Sequence, residues 1–248
     1  MPLDAQEIRS LRSRAAPIVV LTGAGISRES GLHTFRDADG IWATVRVEDV
    51  ATPEAFRRDP ARVHAFYNAR RRALLAPEVR PNPAHHALVR LGRHWPGPVL
   101  IVTQNIDDLH ERAGTPADAL VHMHGELLKM RCAGCGAVAP VTEDLSLDRS
   151  CDACGCPGQL RPHVVWFGEM PLALERIYAA LAEAGLFIAI GTSGSVYPAA
   201  GFVRETPPDC ITVELNLEPS EIARLFRHAE HGPASIVVPA FVDRLCPP

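Results

Sequence analysis

The strongest constraint on this chain is a series of short apolar runs that each end in small or polar residues. Ile18-Val19-Val20-Leu21 is followed closely by Gly23-Ala24-Gly25, and Val99–Val102 by Thr103-Gln104-Asn105. Leu186–Ile190 runs into Gly191-Thr192-Ser193, and Ile211–Leu215 into Asn216. Short apolar runs bounded by turn formers read as strands buried on both faces. Helix signals stand between them. Asp4 with Glu7 is a capping box, and Asn82-Pro83 is a cap residue followed by proline in the first turn. A helix is expected over 171–184, closed by Gly185, and a fifth strand over Ile236-Val237-Val238. This alternation predicts an α/β fold, a Rossmann-like parallel sheet flanked by helices. Ligands of such sheets bind outside the carboxyl ends of the strands. The four polar strand ends are therefore the first places to look for a site.

Two segments interrupt the pattern. One, about 36–81, is helical and rich in arginine; the other, about 126–169, is rich in Gly, Cys and Pro. The expected division is a large domain from 1–35, 82–125 and 170–248, with a small domain built from the two insertions. The second insertion carries Cys132, Cys135, Cys151 and Cys154, spaced C-x₂-C-x₁₅-C-x₂-C. Two residues between thiolates let both sulfurs of a knuckle reach one ion, and two knuckles complete a closed tetrahedral zinc site. Such a site has no open position for catalysis, so the zinc is expected to hold structure. Cys156 stands close enough to replace Cys154, which leaves the fourth ligand open. Cys210 and Cys246 read as buried or idle thiols.

Composition narrows the function classes. The 248 residues are 47% hydrophobic, enough for a substantial core, and the formal charge of −4 argues against broad nucleic-acid binding. No apolar run has the length needed to cross a bilayer, and the first residues have no apolar signal core. Reduced thiols at a zinc site suit the cytoplasm. A monomer is the default expectation.

Gly23-Ala24-Gly25 after a strand suggests a turn whose backbone N–H groups approach a pyrophosphate. The third glycine of the dinucleotide fingerprint would fall at Arg28, so the fingerprint alone is incomplete. The wider strings say more. GAGISRESGLHTFRDADGIW spans Gly23–Trp42, TQNIDDLHERAG spans Thr103–Gly114, and HMHGEL spans His122–Leu127. GTS stands at 191–193 and ELNLEP at 214–219. This set, in this order, resembles the sirtuins, the NAD-dependent protein deacylases, and most of all bacterial members related to the desuccinylase class.

The resemblance implies a reaction. An acyl-lysine carbonyl oxygen attacks C1′ of the nicotinamide ribose, nicotinamide leaves, and a histidine then acts as base toward the ribose hydroxyls. The products are free lysine and an O-acyl-ADP-ribose. It also implies roles. His124, directly before Gly125, is the expected base, with Asn105 and Asp107 at the nicotinamide pocket. His122, which would share a strand face with His124, is a decoy. Cofactor contacts are expected from Gly23, Ala24, Gly25 and Ile26, from Thr34, Phe35, Arg36 and Trp42 of a cofactor loop, and from Gln104, Asn105, Ile106 and Asp107. Gly191, Thr192, Ser193, Asn216, Leu217, Glu218 and Ala234 complete that set. Val165, Phe167, Gly168 and Glu169, with Val196 opposite, are expected to pair with substrate backbone, adding a peptide strand.

The acyl pocket rests on one helix. Asp59-Pro60 opens it, and it is expected to reach Leu75. Tyr67 and Arg70 then share a face. By resemblance they bind the distal carboxylate of succinyl- or malonyl-lysine, and Ala51 leaves room for the longer chain. The competing reading makes Arg70, Arg71 and Arg72 a solvated face. Two further functions compete: an ADP-ribosyltransferase or NAD sensor on the same fold, and a zinc-dependent binding module. The module accounts for the knuckles but not for the glycine turn or His124.

Overall fold

The structure, a computed structural model, describes residues 3–32 and 45–247. Its strands are β1 Ile18–Thr22, β2 Val99–Thr103, β3 Leu120–His122, β4 Gly125–Cys132, β5 Val138–Pro140, β6 Leu160–Val164, β7 Leu186–Ile190, β8 Ile211–Asn216 and β9 His228–His231. Its helices are α1 Ala5–Ser13, α2 Val47–Val50, α3 Pro53–Arg58, α4 Pro60–Leu74, α5 Pro83–His94, α6 Leu109–Ala113, α7 Leu174–Ala182 and α8 Ala234–Leu245. Six strands make one sheet in the order β3-β2-β1-β7-β8-β9. Every pair in it is parallel. β1 pairs with β2 on one side and β7 on the other, so the strand order reverses there. That reversal opens a crevice at the carboxyl ends of β1, β2 and β7.

Alternation along β1 splits the core into two layers. Ile18 and Val20 pack with Leu11 of α1, Leu88 and Leu91 of α5, and Phe241 and Leu245 of α8. Val19 and Leu21 pack with Ile177 and Leu181 of α7 and Phe202 on the other face. A cap contributes about 1 kcal/mol, whereas each fully buried Leu or Phe contributes about 1.5–3 kcal/mol. Packing therefore decides where these helices lie, and caps decide where they start. Asp4 accepts from Gln6 and Glu7 as the sequence predicts, and Asp59 accepts from Arg62 to open α4.

Three sequence expectations change. Ile236-Val237-Val238 is not a strand but part of α8, because Val238, Phe241, Val242 and Leu245 recur at helical spacing and are all buried. The sheet edge is instead β9, His228–His231, whose sequence His-Ala-Glu-His leaves no apolar run to read. α7 is shorter than 171–184, starting at Leu174. His122 and His124 share no strand face, since β3 ends at His122 and a turn follows.

A second sheet, β5-β4-β6, is antiparallel. α4 is fastened to it through buried polar groups rather than a solvated arginine face. Arg71 is 0% exposed. It donates to Leu127 O at 3.2 Å and to Asn68 Oδ1 at 2.7 Å. Asn68 in turn exchanges hydrogen bonds with the Leu145 backbone, both at 2.9 Å. Arg72 is exposed and pairs with Asp144. Among the described residues no helix is long and apolar enough to cross a membrane.

Candidate active site

The glycine turn after β1 is built against the turn after β7. Gly23 N donates to Ile190 O and Gly25 N to Gly191 O, both at 2.9 Å. A Cβ on Gly25 would lie 2.7 Å from Gly191 Cα, and one on Gly191 (φ +62) would lie 2.4 Å from Ile26 N. Two strand-end loops thus touch backbone to backbone, and side chains are excluded. The result is a smooth backbone cradle with no side chain between the two turns, open to close approach by a ligand at the strand ends. Asn216 at the end of β8 fixes its far side. It accepts from Thr192 N at 3.0 Å and donates to Thr192 O at 2.9 Å.

The turn after β2 is bound to the same cradle. Asn105 Nδ2 donates to Gly23 O and to Ser27 Oγ, both at 3.2 Å, and Ser27 donates to Asp107 Oδ2 at 3.0 Å. Asp107 also accepts from Leu109 N at 3.1 Å. Burial raises its carboxyl above the usual range, and these bonds oppose that.

His124 sits in the turn before β4. Its Nδ1 lies 3.0 Å from Gln104 O. A carbonyl can only accept, so Nδ1 carries the proton and Nε2 of the neutral ring keeps its lone pair. Burial lowers the pKa of His124, and the Gln104 bond opposes that. The adjacent Gly125 has φ +79, and a Cβ there would lie 2.1 Å from His163 O, so only glycine can follow the histidine. His122 is spent elsewhere. Its Nε2 meets Glu111 Oε1 at 2.8 Å and its Nδ1 meets Asn105 O at 3.2 Å.

A cavity of about 960 Å³ joins these parts, at the upper end of ligand pockets, about 300–1,000 Å³. Gly23, Ala24, Gly25, Gln104, Asn105, Ile106 and His124 line it, with Gly191, Thr192, Ser193, Asn216, Leu217, Glu218 and Ala234. So do Ala51, Tyr67, Arg70, Val165, Phe167 and Val196. Ile26, Asp107, Gly168 and Glu169 do not line it: the first two are buried, and Glu169 turns to Arg161 at 2.6 Å. Thr34, Phe35, Arg36 and Trp42 lie outside the described residues. Sequence reasoning missed Ser27, which links Asn105 to Asp107, and Val47, which lines the cavity one helical turn before Ala51. Ser27 stands within the Gly23–Trp42 string, which was the available signal; Val47 had none.

At the Tyr67–Arg70 end, Tyr67 is 3% exposed and burial pushes its phenol up to about 12, so it stays protonated at neutral pH. Burial lowers the Arg70 pKa, opposed by Tyr67 and Asp107. Backbone bonds tie the neighbouring segment in place: Val165 N donates to His124 O at 2.9 Å and Phe167 N to Ala51 O at 3.0 Å.

The four cysteines converge about the β4 end of the second sheet. Sγ of Cys132, Cys135, Cys151 and Cys154 all lie within 4.8 Å of one another. Cys132–Cys154 is 3.8 Å and Cys135–Cys151 is 3.7 Å. A tetrahedral ion with Zn–S bonds of about 2.3 Å sets its sulfurs ~3.8 Å apart, so the set fits zinc. Cys156 lies outside the cluster, its Sγ facing Cys154 O at 3.9 Å.

Comparison with known proteins agrees with this geometry. The model of the Sir2 family matches residues 23–198. The chain is 59% identical over 229 residues to the NAD-dependent protein deacylase of Escherichia coli (strain K12), covering 92% of this chain and 81% of that protein. The crystal structure of a Sir2 homologue–NAD complex superposes with a TM-score of 0.86 at 34% identity, over 98% of this chain and 94% of the other. A Sir2 structure with a deacetylated p53 peptide and 3′-O-acetyl ADP-ribose gives 0.80 at 27% identity, over 98% and 97%. With its parallel sheet, glycine cradle and cysteine cluster, the chain belongs to the Sir2 family.

Proposed function

We propose that this chain is an NAD-dependent protein-lysine deacylase that removes acetyl groups and, through Tyr67 and Arg70, succinyl or malonyl groups. One observation carries the reading: the glycine cradle, His124 and the Tyr67–Arg70 pair line the same cavity. A dinucleotide at one end and an acyl chain at the other would meet beside one imidazole. The names and ligands of the relatives support NAD-dependent deacylation.

Gly23, Ala24, Gly25, Thr192 and Ser193 would hold the cofactor phosphates, and Asn216, Leu217 and Glu218 its adenosine half. When bound, NAD supplies a ribose carbon made electrophilic by departure of nicotinamide. Asn105 shapes the nicotinamide end, while Asp107 acts from behind it by holding Ser27 and so Asn105. His124 accepts a ribose hydroxyl proton at Nε2; the Nδ1 bond to Gln104 selects the tautomer that can do so. Val165 and Phe167 on one side and Val196 on the other would take the substrate backbone. Arg70 offers a charged fork and Tyr67 a hydroxyl to an acyl carboxylate. Zinc at Cys132, Cys135, Cys151 and Cys154 would hold the small domain, formed from 36–81 and 126–169 beside the Rossmann-like part. A cytoplasmic monomer acting on acylated proteins is part of this proposal.

The test is nicotinamide release with succinyl-, acetyl- and unmodified lysine versions of one peptide. The reading expects release that depends on the acyl group and yields the matching O-acyl-ADP-ribose. Release at the same rate from the unmodified peptide would favour an ADP-ribosyltransferase instead.

A further inference from the structure

Trp166 lies between two residues expected to pair with substrate, yet its own side chain faces inward. It is 2% exposed. Its indole Nε1–H donates to the Tyr67 hydroxyl oxygen at 3.0 Å, with both groups buried. Indole is a donor only. The phenol therefore cannot give its proton to Trp166, and its O–H must be offered to another acceptor. Tyr67 and Arg70 line the cavity together, so a carboxylate entering there meets a donor already accepting on its far side. A phenol that accepts one hydrogen bond also donates its own more strongly.

Trp166 is held more firmly than a core filler needs to be. The Arg161 guanidinium lies 3.4 Å from its ring centroid. Arg161 is bidentate to Glu169, at 2.6 and 2.8 Å, and Glu169 Oε2 accepts the Trp166 backbone N–H at 2.9 Å. Phe56 closes another side, with centroids 5.4 Å apart. Ring and backbone are thus fixed by one ion pair, and the flanking residues are tied to His124 and Ala51.

We propose that Trp166 is a positioning residue for acyl-chain selection: its indole N–H sets the Tyr67 phenol so that the O–H is presented to a distal carboxylate beside Arg70. This rests on the reading of Tyr67 and Arg70 as the carboxylate-binding pair. A neutral hydrogen bond of about 0.5–1.5 kcal/mol corresponds to roughly a two- to twelvefold effect.

The experiment compares Trp166→Phe, Tyr67→Phe, the double variant and Arg70→Met in the full-length zinc-loaded protein. Each is assayed on one peptide carrying succinyl- or acetyl-lysine. Trp166→Phe is expected to lower kcat/KM for the succinyl peptide roughly three- to tenfold, mainly through KM, and that for the acetyl peptide less than about twofold. In the Tyr67→Phe background it should not move the succinyl-to-acetyl ratio further. Equal losses on both peptides, an unchanged ratio, or a full effect without the Tyr67 hydroxyl would each overturn the proposal. If Arg70→Met also leaves the ratio unchanged, the carboxylate-pair reading falls with it; if Arg70→Met shifts the ratio and Trp166→Phe does not, only the Trp166 proposal falls. Should Trp166→Phe misfold, benzothienylalanine at 166 keeps the bicyclic shape without the N–H, and the same ratios decide.

Discussion

At the scale of single residues, protonation state is what makes His124 useful. Its Nδ1 is committed to Gln104 O, and burial keeps the ring neutral. His124→Ala should cost roughly two to four orders of magnitude in deacylation, while NAD affinity, assigned by the proposal to the cradle, should change little. Near-normal turnover by a well-folded variant would remove the histidine from the mechanism. The pKa shift fixes a sign as well. A base whose pKa lies below the ordinary 6.5 is deprotonated earlier as pH rises. The acid limb of kcat/KM should therefore fall below pH 6.5 rather than above it. Arg70→Met belongs to the same scale. On the proposed carboxylate role it removes a charge-assisted hydrogen bond of about 1.5–3 kcal/mol that only a carboxylated acyl chain can make, so desuccinylation should drop by about one to two powers of ten and deacetylation much less. Equal losses would make Arg70 structural or cofactor-linked. That His124 and Arg70 line one cavity was legible in the HMHGEL string and in the helical spacing of Tyr67 and Arg70. Trp166 was not, because its partner lies 99 residues away.

At the scale of elements, the cysteine cluster and the β4–β6 pairing do the holding. Structural zinc contributes an apparent ~10–16 kcal/mol, against about 5–15 kcal/mol for a whole domain. Cys132→Ser should therefore unfold the small antiparallel sheet, not merely slow catalysis. Circular dichroism should show the loss, and metal analysis should find about one zinc per chain in the wild type and less in the variant. A folded, zinc-free, active preparation would contradict this. Spacing made the cysteines readable. β9 was missed because an edge strand carries no apolar run, and α8 was misread because three apolar residues cannot separate strand from helix. The helical period appears only when Phe241, Val242 and Leu245 are counted with Val238. The four polar strand ends were readable because buried parallel strands put chemistry at their carboxyl ends.

At the scale of the whole molecule, cradle, core and stability meet at the start of α5. Asn82 caps α5 and also donates to Ile26 O at 2.7 Å and Ser30 Oγ at 3.0 Å, so the helix start supports the glycine turn. His85, 0% exposed, completes the capping box by accepting from Asn82 N through Nδ1 at 3.3 Å. That bond requires the neutral ring. Burial, and then His86, lower its pKa to about 4. The sign follows. The unfolded chain takes up a proton below its own value near 6.5, while the folded chain resists until about 4. The stability is present above pH 6.5 and is lost as pH falls through that window. His110, packed 5.1 Å from His85, is lowered in the same direction by burial, whereas Asp107, raised by burial, acts in the opposite one. A comparison with His85→Gln isolates the first histidine. Glutamine is a natural third residue of a capping box and does not titrate. Urea midpoints at pH 7 and pH 5 should show the wild type losing roughly 2 kcal/mol more than the variant between the two. Thiolate protonation at the zinc site weakens both proteins alike. If the two lost the same amount, His85 would not be the acid-sensitive member of the support beneath the cradle.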